Sequence, residues 1–215
     1  MEPTQPQSHE VPTQVKDPSL VERRRLQIVD AAVRLFIEKG FHKTTTRQIA
    51  RAAGISIGTL YEYVTTKEDV LYLVCVAIHA EVERSVQEVL ARASGGKEAL
   101  RGVIREYFQV CDRMSDHILL MYQETKSLPP QWRKPVLESE VRITGLFKQA
   151  IVGLLAEVGA VAPDGDALEL MAHNITVLGH MWTFRRWFFR RSFRIQDYID
   201  HQTALIMKEL TGVTA

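Results

Sequence analysis

Apolar residues along this chain recur every three or four positions with hardly a break, the period of helices that bury one face. Ile28, Ala31, Ala32, Leu35 and Phe36 carry the first such stripe, which predicts a helix from about Val21 to a stop at Gly40. Thr45 is a good N-cap, and Gln48 three residues on completes a capping box, so a short second helix runs through Ile49 and Ala50 to about Ala53. Gly54 takes the left-handed conformation that ends it, and Ser56 caps a third helix at once. Ile49, Ala53, Ile55 and Leu60 are apolar where these helices face each other and the core, and Ala50 is small where they cross. Two short helices joined by about three residues form a helix-turn-helix. Thr66 caps a long fourth helix, with Glu68 and Asp69 in its first turn and apolar residues from Leu71 through Val89 to a stop at Ser94-Gly95-Gly96. Later helices are predicted over residues 97–114, 117–126, 130–158, 166–190 and 195–210. No segment alternates as a strand would, so the fold class is all-α.

Residues 1–19 hold four prolines among Gln, Ser, Thr and Glu and read as a flexible arm. Residues 20–66 form a three-helix domain and 67–215 a larger helical one, a division that a chain of 215 residues can support with two cores. Charge follows the same division. From Leu20 to Lys67 nine basic residues face four acidic ones, a net of +5 in a chain of net +1. Such a basic segment fits phosphate neutralisation on double-stranded DNA, whose major groove a helix-turn-helix reads. Cys75 and Cys111 lack metal-type spacing and read as free thiols of a cytoplasmic protein. No apolar run approaches the roughly 20 residues of a membrane span, so no membrane partner is expected. Nor is an enzyme, because no nucleophile with its base, metal triad or phosphate loop stands out.

From Arg24 to Leu71 the chain resembles the N-terminal domain of the tetracycline-repressor family: Gly40-Phe41, TTTRQIARAAGIS, GTLYEY and TKEDVL occur in the expected order. The resemblance implies a homodimeric transcriptional repressor with a helix-turn-helix head on palindromic operator DNA. It also implies a C-terminal helical domain that binds a small-molecule effector and dimerises through its last two helices. Trp187, Ile195, Tyr198, Ile199, Leu205 and Ile206 are the expected interface. Ile57 departs from the basic or polar residue common in relatives, and Val64 from an aromatic.

The first turns of a recognition helix meet base edges, which assigns Ser56, Ile57, Gly58 and Thr59 to the groove. Thr45, Thr46, Tyr61, Tyr63 and Lys67 resemble the family's phosphate-clamping positions, and Arg47 is a long donor able to reach base or backbone. Each tyrosine has a packing role as its alternative. In the larger domain Phe108, Cys111, Met121, Tyr122, Phe147, His173, Asn174, Val177, His180 and Met181 are candidate effector contacts, with plain core as the alternative. His173 and His180, seven apart, share a helix face, but without a third ligand they read as a hydrogen-bonded pair and no metal is expected.

Between Trp182 and Arg194 stand five arginines (Arg185, Arg186, Arg190, Arg191, Arg194) and six aromatics, Trp182, Trp187, Phe188 and Phe189 among them. They suit a ligand bearing phosphates and a purine, or a dimer interface with a charged rim. MYQETKSLPP (121–130) and GHMWTFRRWFFRR (179–191) are similar to family members that respond to acyl-CoA thioesters and regulate fatty-acid metabolism. The inducer implied is a long-chain acyl-CoA, with Arg185, Arg186 and Arg190 on its nucleotide, and no tightly held cofactor. An architectural DNA-binding protein without ligand is the rival reading.

Overall fold

Ten α-helices and one 3-10 turn make up the computed structural model, which describes residues 10–212; among them there is no strand. The helices are α1 (Pro18–Lys39), α2 (Thr46–Ala52), α3 (Ile57–Tyr63), α4 (Lys67–Arg92), α5 (Gly96–Arg113), α6 (Ser115–Glu124), α7 (Pro130–Glu157), α8 (Gly165–Phe184), α9 (Arg186–Ser192) and α10 (Ile195–Thr211). They cluster into two compact units. The head takes the chain as far as Ala77 together with Leu120–Leu137; the body takes Ile78–Leu119 and the chain from Glu138 onward.

This division differs from the expected boundary after residue 66, and the reason is a buried carboxylate. Asp69 Oδ2 accepts the backbone N–H groups of Thr65 and Thr66 at 2.9 and 2.8 Å, capping α4, while Thr66 Oγ1 accepts the Asp69 N–H at 3.1 Å. Its other oxygen accepts Trp132 Nε1–H at 2.8 Å, and the Trp132 ring stacks on Tyr72 with centroids 4.3 Å apart. The start of α4 and the start of α7 are thereby one polar and aromatic joint within the head.

The arm also differs from expectation. Residues 1–9 lie outside the described residues, but Val11 is buried, and Thr13 Oγ1 and Gln14 N–H both donate to the Glu62 carbonyl at 2.9 and 3.0 Å. The α1 helix begins at Pro18, capped by Asp17, whose Oδ1 accepts from Ser19 N–H at 3.0 Å and Leu20 N–H at 3.3 Å. An Asp-Pro pair is a start signal that the predicted onset at Val21 passed over.

In the body α5 is the central element, burying Leu100, Val103, Ile104, Tyr107, Phe108, Val110 and Cys111 against neighbours that include α8 and α10. Its first residue sits against α7: a Cβ on Gly96 would collide with the Gly153–Leu154 backbone, so only glycine permits that approach. The helix expected over 166–190 is two, broken at Arg185. Trp182 Nε1–H and Arg190 both donate to Asp112 Oδ1, at 2.7 and 3.0 Å, and Arg186 pairs with Asp116 at 2.7 Å. These bonds fix the chain in a bend, with the Phe188 and Phe189 N–H groups restarting on the Arg185 carbonyl.

Trp132→Phe keeps the ring on Tyr72 and leaves Asp69 Oδ1 buried without its donor. The expected cost is about 1–3 kcal/mol, a fall in melting temperature of roughly 2–4 °C per kcal/mol, measured by calorimetry. An unchanged melting temperature would show that the joint carries no stability.

Candidate functional site

The surface of the head is built by local caps. Thr45 Oγ1 accepts from Gln48 N–H at 3.3 Å and Gln48 Oε1 from Thr45 N–H at 2.9 Å, so α2 starts where the sequence places it. Gly54 turns the chain at φ +68°, and Ser56 Oγ accepts from Thr59 N–H at 2.9 Å to start α3. Ile49, Ala50, Ala53 and Leu60 are buried beneath the two helices, as their spacing requires. Thr45, Arg47, Ser56, Gly58 and Tyr61 are exposed on top, and Thr46, Ile57 and Thr59 are half-buried among them. Thr46 Oγ1 and the Tyr61 hydroxyl lie 3.1 Å apart, and Ser56 Oγ and Thr59 Oγ1 3.0 Å apart, so α2 and α3 share one hydroxyl-bearing surface.

Two candidates stand elsewhere. Tyr63 is 3% exposed and belongs to the core, which corrects its assignment to a phosphate and settles its two readings as packing. Its carbonyl accepts Arg25 Nη2–H at 3.3 Å, and the same guanidinium group donates to the Val11 carbonyl. Arg25 therefore ties the segment before α1 to the end of α3. Lys67 is half-buried: its Nζ donates to the Phe41 carbonyl at 2.9 Å and the His42 carbonyl at 3.3 Å, and lies 4.4 Å from the Phe41 ring centroid. The ammonium group holds the α1–α2 connection.

The thirteen effector candidates separate into distinct settings. Phe108, Cys111, Phe147 and His180 converge in the body core around Tyr107, a residue the sequence reading missed. Its ring lies 5.1 Å from Phe147 and 6.1 Å from Phe108, and its hydroxyl is 2.8 Å from His180 Nε2 and donates to the Thr176 carbonyl at 3.2 Å. Gly179 lies against this centre; an added Cβ there would meet the Tyr107 ring and stand 3.1 Å from Cys111 Sγ. Burial pushes the Cys111 thiol far above its ordinary range, against a weaker opposing effect of Tyr107, so it stays protonated. A second polar pair is His79 with Glu140, 2.9 Å apart. Burial raises the Glu140 carboxyl, but the hydrogen bond and charge of His79 outweigh it and leave the group below its usual value.

The remaining candidates lie apart from that core. His173, Asn174 and Val177 are on the exposed side of α8, and Met181 is half-buried. His173 faces Glu169 at 3.5 Å while His180 is buried on Tyr107, so the expected pairing of the two histidines is replaced by separate partners. Met121 and Tyr122 belong to the head. Arg186 and Arg190 are paired with Asp116 and Asp112, Arg194 caps α10 through Asp197 at 2.9 Å, and Arg185 lies 5.2 Å from the Trp187 ring centroid. Of the expected dimer residues, Tyr198 and Ile199 are buried within the protomer, Tyr198 donating to the Leu178 carbonyl at 2.7 Å. Leu205 and Trp187 remain exposed.

A capped helix-turn-helix braced by α1, carrying an exposed row of hydroxyls and an arginine, defines the head as that of a helix-turn-helix regulator. Residues 28–72 match the model of the bacterial regulatory proteins of the tetR family. The chain is 31% identical over 194 residues to the HTH-type transcriptional regulator HbdR of Aromatoleum sp. (strain CIB), covering 90% of this chain and 83% of that one. It belongs to the tetR family of transcriptional regulators. The fatty acid metabolism regulator protein of Bacillus subtilis (strain 168) is 29% identical over 135 residues, 61% of this chain and 66% of its own length. The crystal structure of AibR in complex with isovaleryl coenzyme A and operator DNA shares the fold, with a TM-score of 0.69 at 18% identity over 85% of this chain and 97% of that one.

Burial lowers the pKa of His180 from 6.5 to about 4. Between those values the unfolded chain binds a proton that the folded body refuses, so the stabilisation is complete above pH 6.5 and is lost as pH falls towards 4. The loss is on the order of 3 kcal/mol. Urea titrations between pH 7 and 4 should show this decline flattened in His180→Gln; an equal decline in both proteins assigns the acid sensitivity to other groups.

Proposed function

We propose that the protein is an effector-released repressor that binds palindromic operator DNA as a homodimer. The exposed row on α2 and α3 carries this reading. Thr45, Thr46, Arg47, Tyr61 and Lys67 take phosphates and fix register, while Ser56, Ile57, Gly58 and Thr59 face base edges. Ile57 offers only apolar contact, such as with a thymine methyl group, and Thr59 a hydroxyl for base or backbone.

A second copy covers the outer side of α8 and α10. Leu170, Val177 and Leu205 are 62, 48 and 62% exposed there, apolar surface that a lone protomer leaves in water. A groove of about 300 Å³ beside them is lined by Ile151, Val177, Leu178, Ile206 and Leu210 among others. Two identical heads on half-sites about one helical turn or a multiple apart supply the specificity that one lacks.

The effector is an acyl-CoA thioester, a reading supported by the fatty acid metabolism regulator among the relatives and by the CoA thioester held by AibR. The α5–α8 crossing at Gly179 is closed even to a methyl group, so an acyl tail lodging beside Phe108 and Phe147 must part those helices. A ligand that binds only the parted state shifts the protein towards it, and operator and ligand then weaken each other by the same factor.

Three measurements test the reading. Tyr61→Phe should weaken operator and random DNA about equally, and Thr59→Ala should alter sequence preference; the same uniform loss from both overturns the assigned roles. In titrations with a selected operator fragment, palmitoyl-CoA should lower operator affinity, and operator should lower palmitoyl-CoA affinity by the same factor. A monomer at micromolar concentration in solution scattering, or DNA binding without sequence preference and without response to ligand, would favour the architectural role.

A further inference from the structure

The cations best placed to receive a polyanion are not the arginines of α9. Arg186 and Arg190 already face Asp116 and Asp112 at 2.7 and 3.0 Å, and Arg194, which follows α9, faces Asp197 at 2.9 Å. A row of cations without carboxylate partners lies at the other end of the body. A concavity of about 780 Å³ opens between the last turn of α4 and the first turns of α5. Arg92 borders it from α4, held by Glu88 at 3.0 Å, and Lys97, Arg101 and Arg105 border it from α5. Its floor is the near contact of Val89 with Gly102, where an added Cβ would stand 2.6 Å from Val89 Cγ1.

Spacing makes this row informative. Lys97, Arg101 and Arg105 stand four residues apart, one above another on α5, and like charges so placed destabilise a helix by a few tenths of a kcal/mol per pair. Among the described residues none of the three forms an ion pair. The two carboxylates of its lining are engaged with backbone: Glu157 Oε2 accepts the Lys97 N–H at 2.9 Å and caps α5, and Glu98 Oε2 accepts the Ser94 N–H at 3.1 Å. The α5 N-terminus is thus satisfied from within, and the side-chain cations are left facing the concavity. The volume lies within the range of small-molecule sites, roughly 300–1,000 Å³. Exposed guanidinium groups grip phosphate oxygens in pairs.

We propose that this α4–α5 concavity binds the phosphate-bearing headgroup of the effector, the nucleotide and pyrophosphate portion of a CoA thioester, with Arg101 and Arg105 as its principal contacts. The proposal rests on the acyl-CoA reading above and moves the headgroup away from Arg185, Arg186 and Arg190.

Calorimetric titrations of the full-length dimer with palmitoyl-CoA and, separately, with inorganic pyrophosphate test it in the wild type, in Arg101→Ala/Arg105→Ala and in Arg185→Ala/Arg186→Ala/Arg190→Ala. The substituted α5 positions are exposed, so the melting temperature serves as a check on folding. Loss of two charge-assisted contacts should weaken palmitoyl-CoA binding about tenfold or more and abolish pyrophosphate binding, with the α9 triple variant close to wild type. If palmitoyl-CoA fails to bind the wild type while pyrophosphate binds and is lost in the α5 variant, the acyl-CoA reading falls and the phosphate site stands. The proposal is overturned if wild-type protein does not bind pyrophosphate, if the α5 variant retains either ligand at wild-type affinity, or if only the α9 variant loses them.

Discussion

The head is organised around the Asp69 carboxylate, which is 5% exposed and meets donors from three residues. A buried charge is tolerated only when its hydrogen-bonding positions are filled, so the two backbone N–H groups before α4 and the indole of Trp132 cannot move independently. The charge reaches further, opposing the desolvation that lowers the Arg25 pKa. Arg25 in turn fastens the end of α3 to the segment around Val11, and Lys67, two residues before Asp69, holds the carbonyls that follow α1. The position of the recognition helix is therefore set by a ring of polar contacts around a small apolar core.

In the body polar groups divide between a sealed interior and an uncompensated rim. His180 with Tyr107 and His79 with Glu140 are hydrogen-bonded pairs, and burial holds His180 below its ordinary value. Arg101 and Arg105 are exposed and form no ion pair among the described residues. On the proposed reading, such an arrangement separates a place for an apolar chain, where admission requires helices to part, from a place for negative charge, where admission requires only desolvation.

The legible parts of the sequence were those governed by neighbours three or four residues away. Thr45 with Gln48, Gly54 and Ser56 each declare their role within one helical turn, and the structure places α2 and α3 accordingly. The parts that escaped depend on distant partners. Trp132 lies 63 residues from Asp69 and His180 lies 73 from Tyr107, so neither bond leaves a periodic trace. The proline-rich segment around Val11 looks disordered by composition because one buried valine and two bonds to the Glu62 carbonyl do not alter an average. Tyr63 carries a residue type suited to phosphate, but its helical position turns it inward. The arginines of α9 looked like one patch in sequence, whereas the bend at Arg185 hands them to separate aspartates.

The head is assembled from two separate stretches of chain, the one ending at Ala77 and Leu120–Leu137. The N-terminal stretch is therefore not a detachable cassette in physical terms. A recombination that exchanged only the N-terminal stretch would bring an aspartate without its tryptophan, and one that exchanged the later stretch would do the reverse. A change at Trp132 is thus felt at Asp69, 63 residues away, and the segment that carries the DNA-reading motif, residues 28–72, is smaller than the unit that must fold with it.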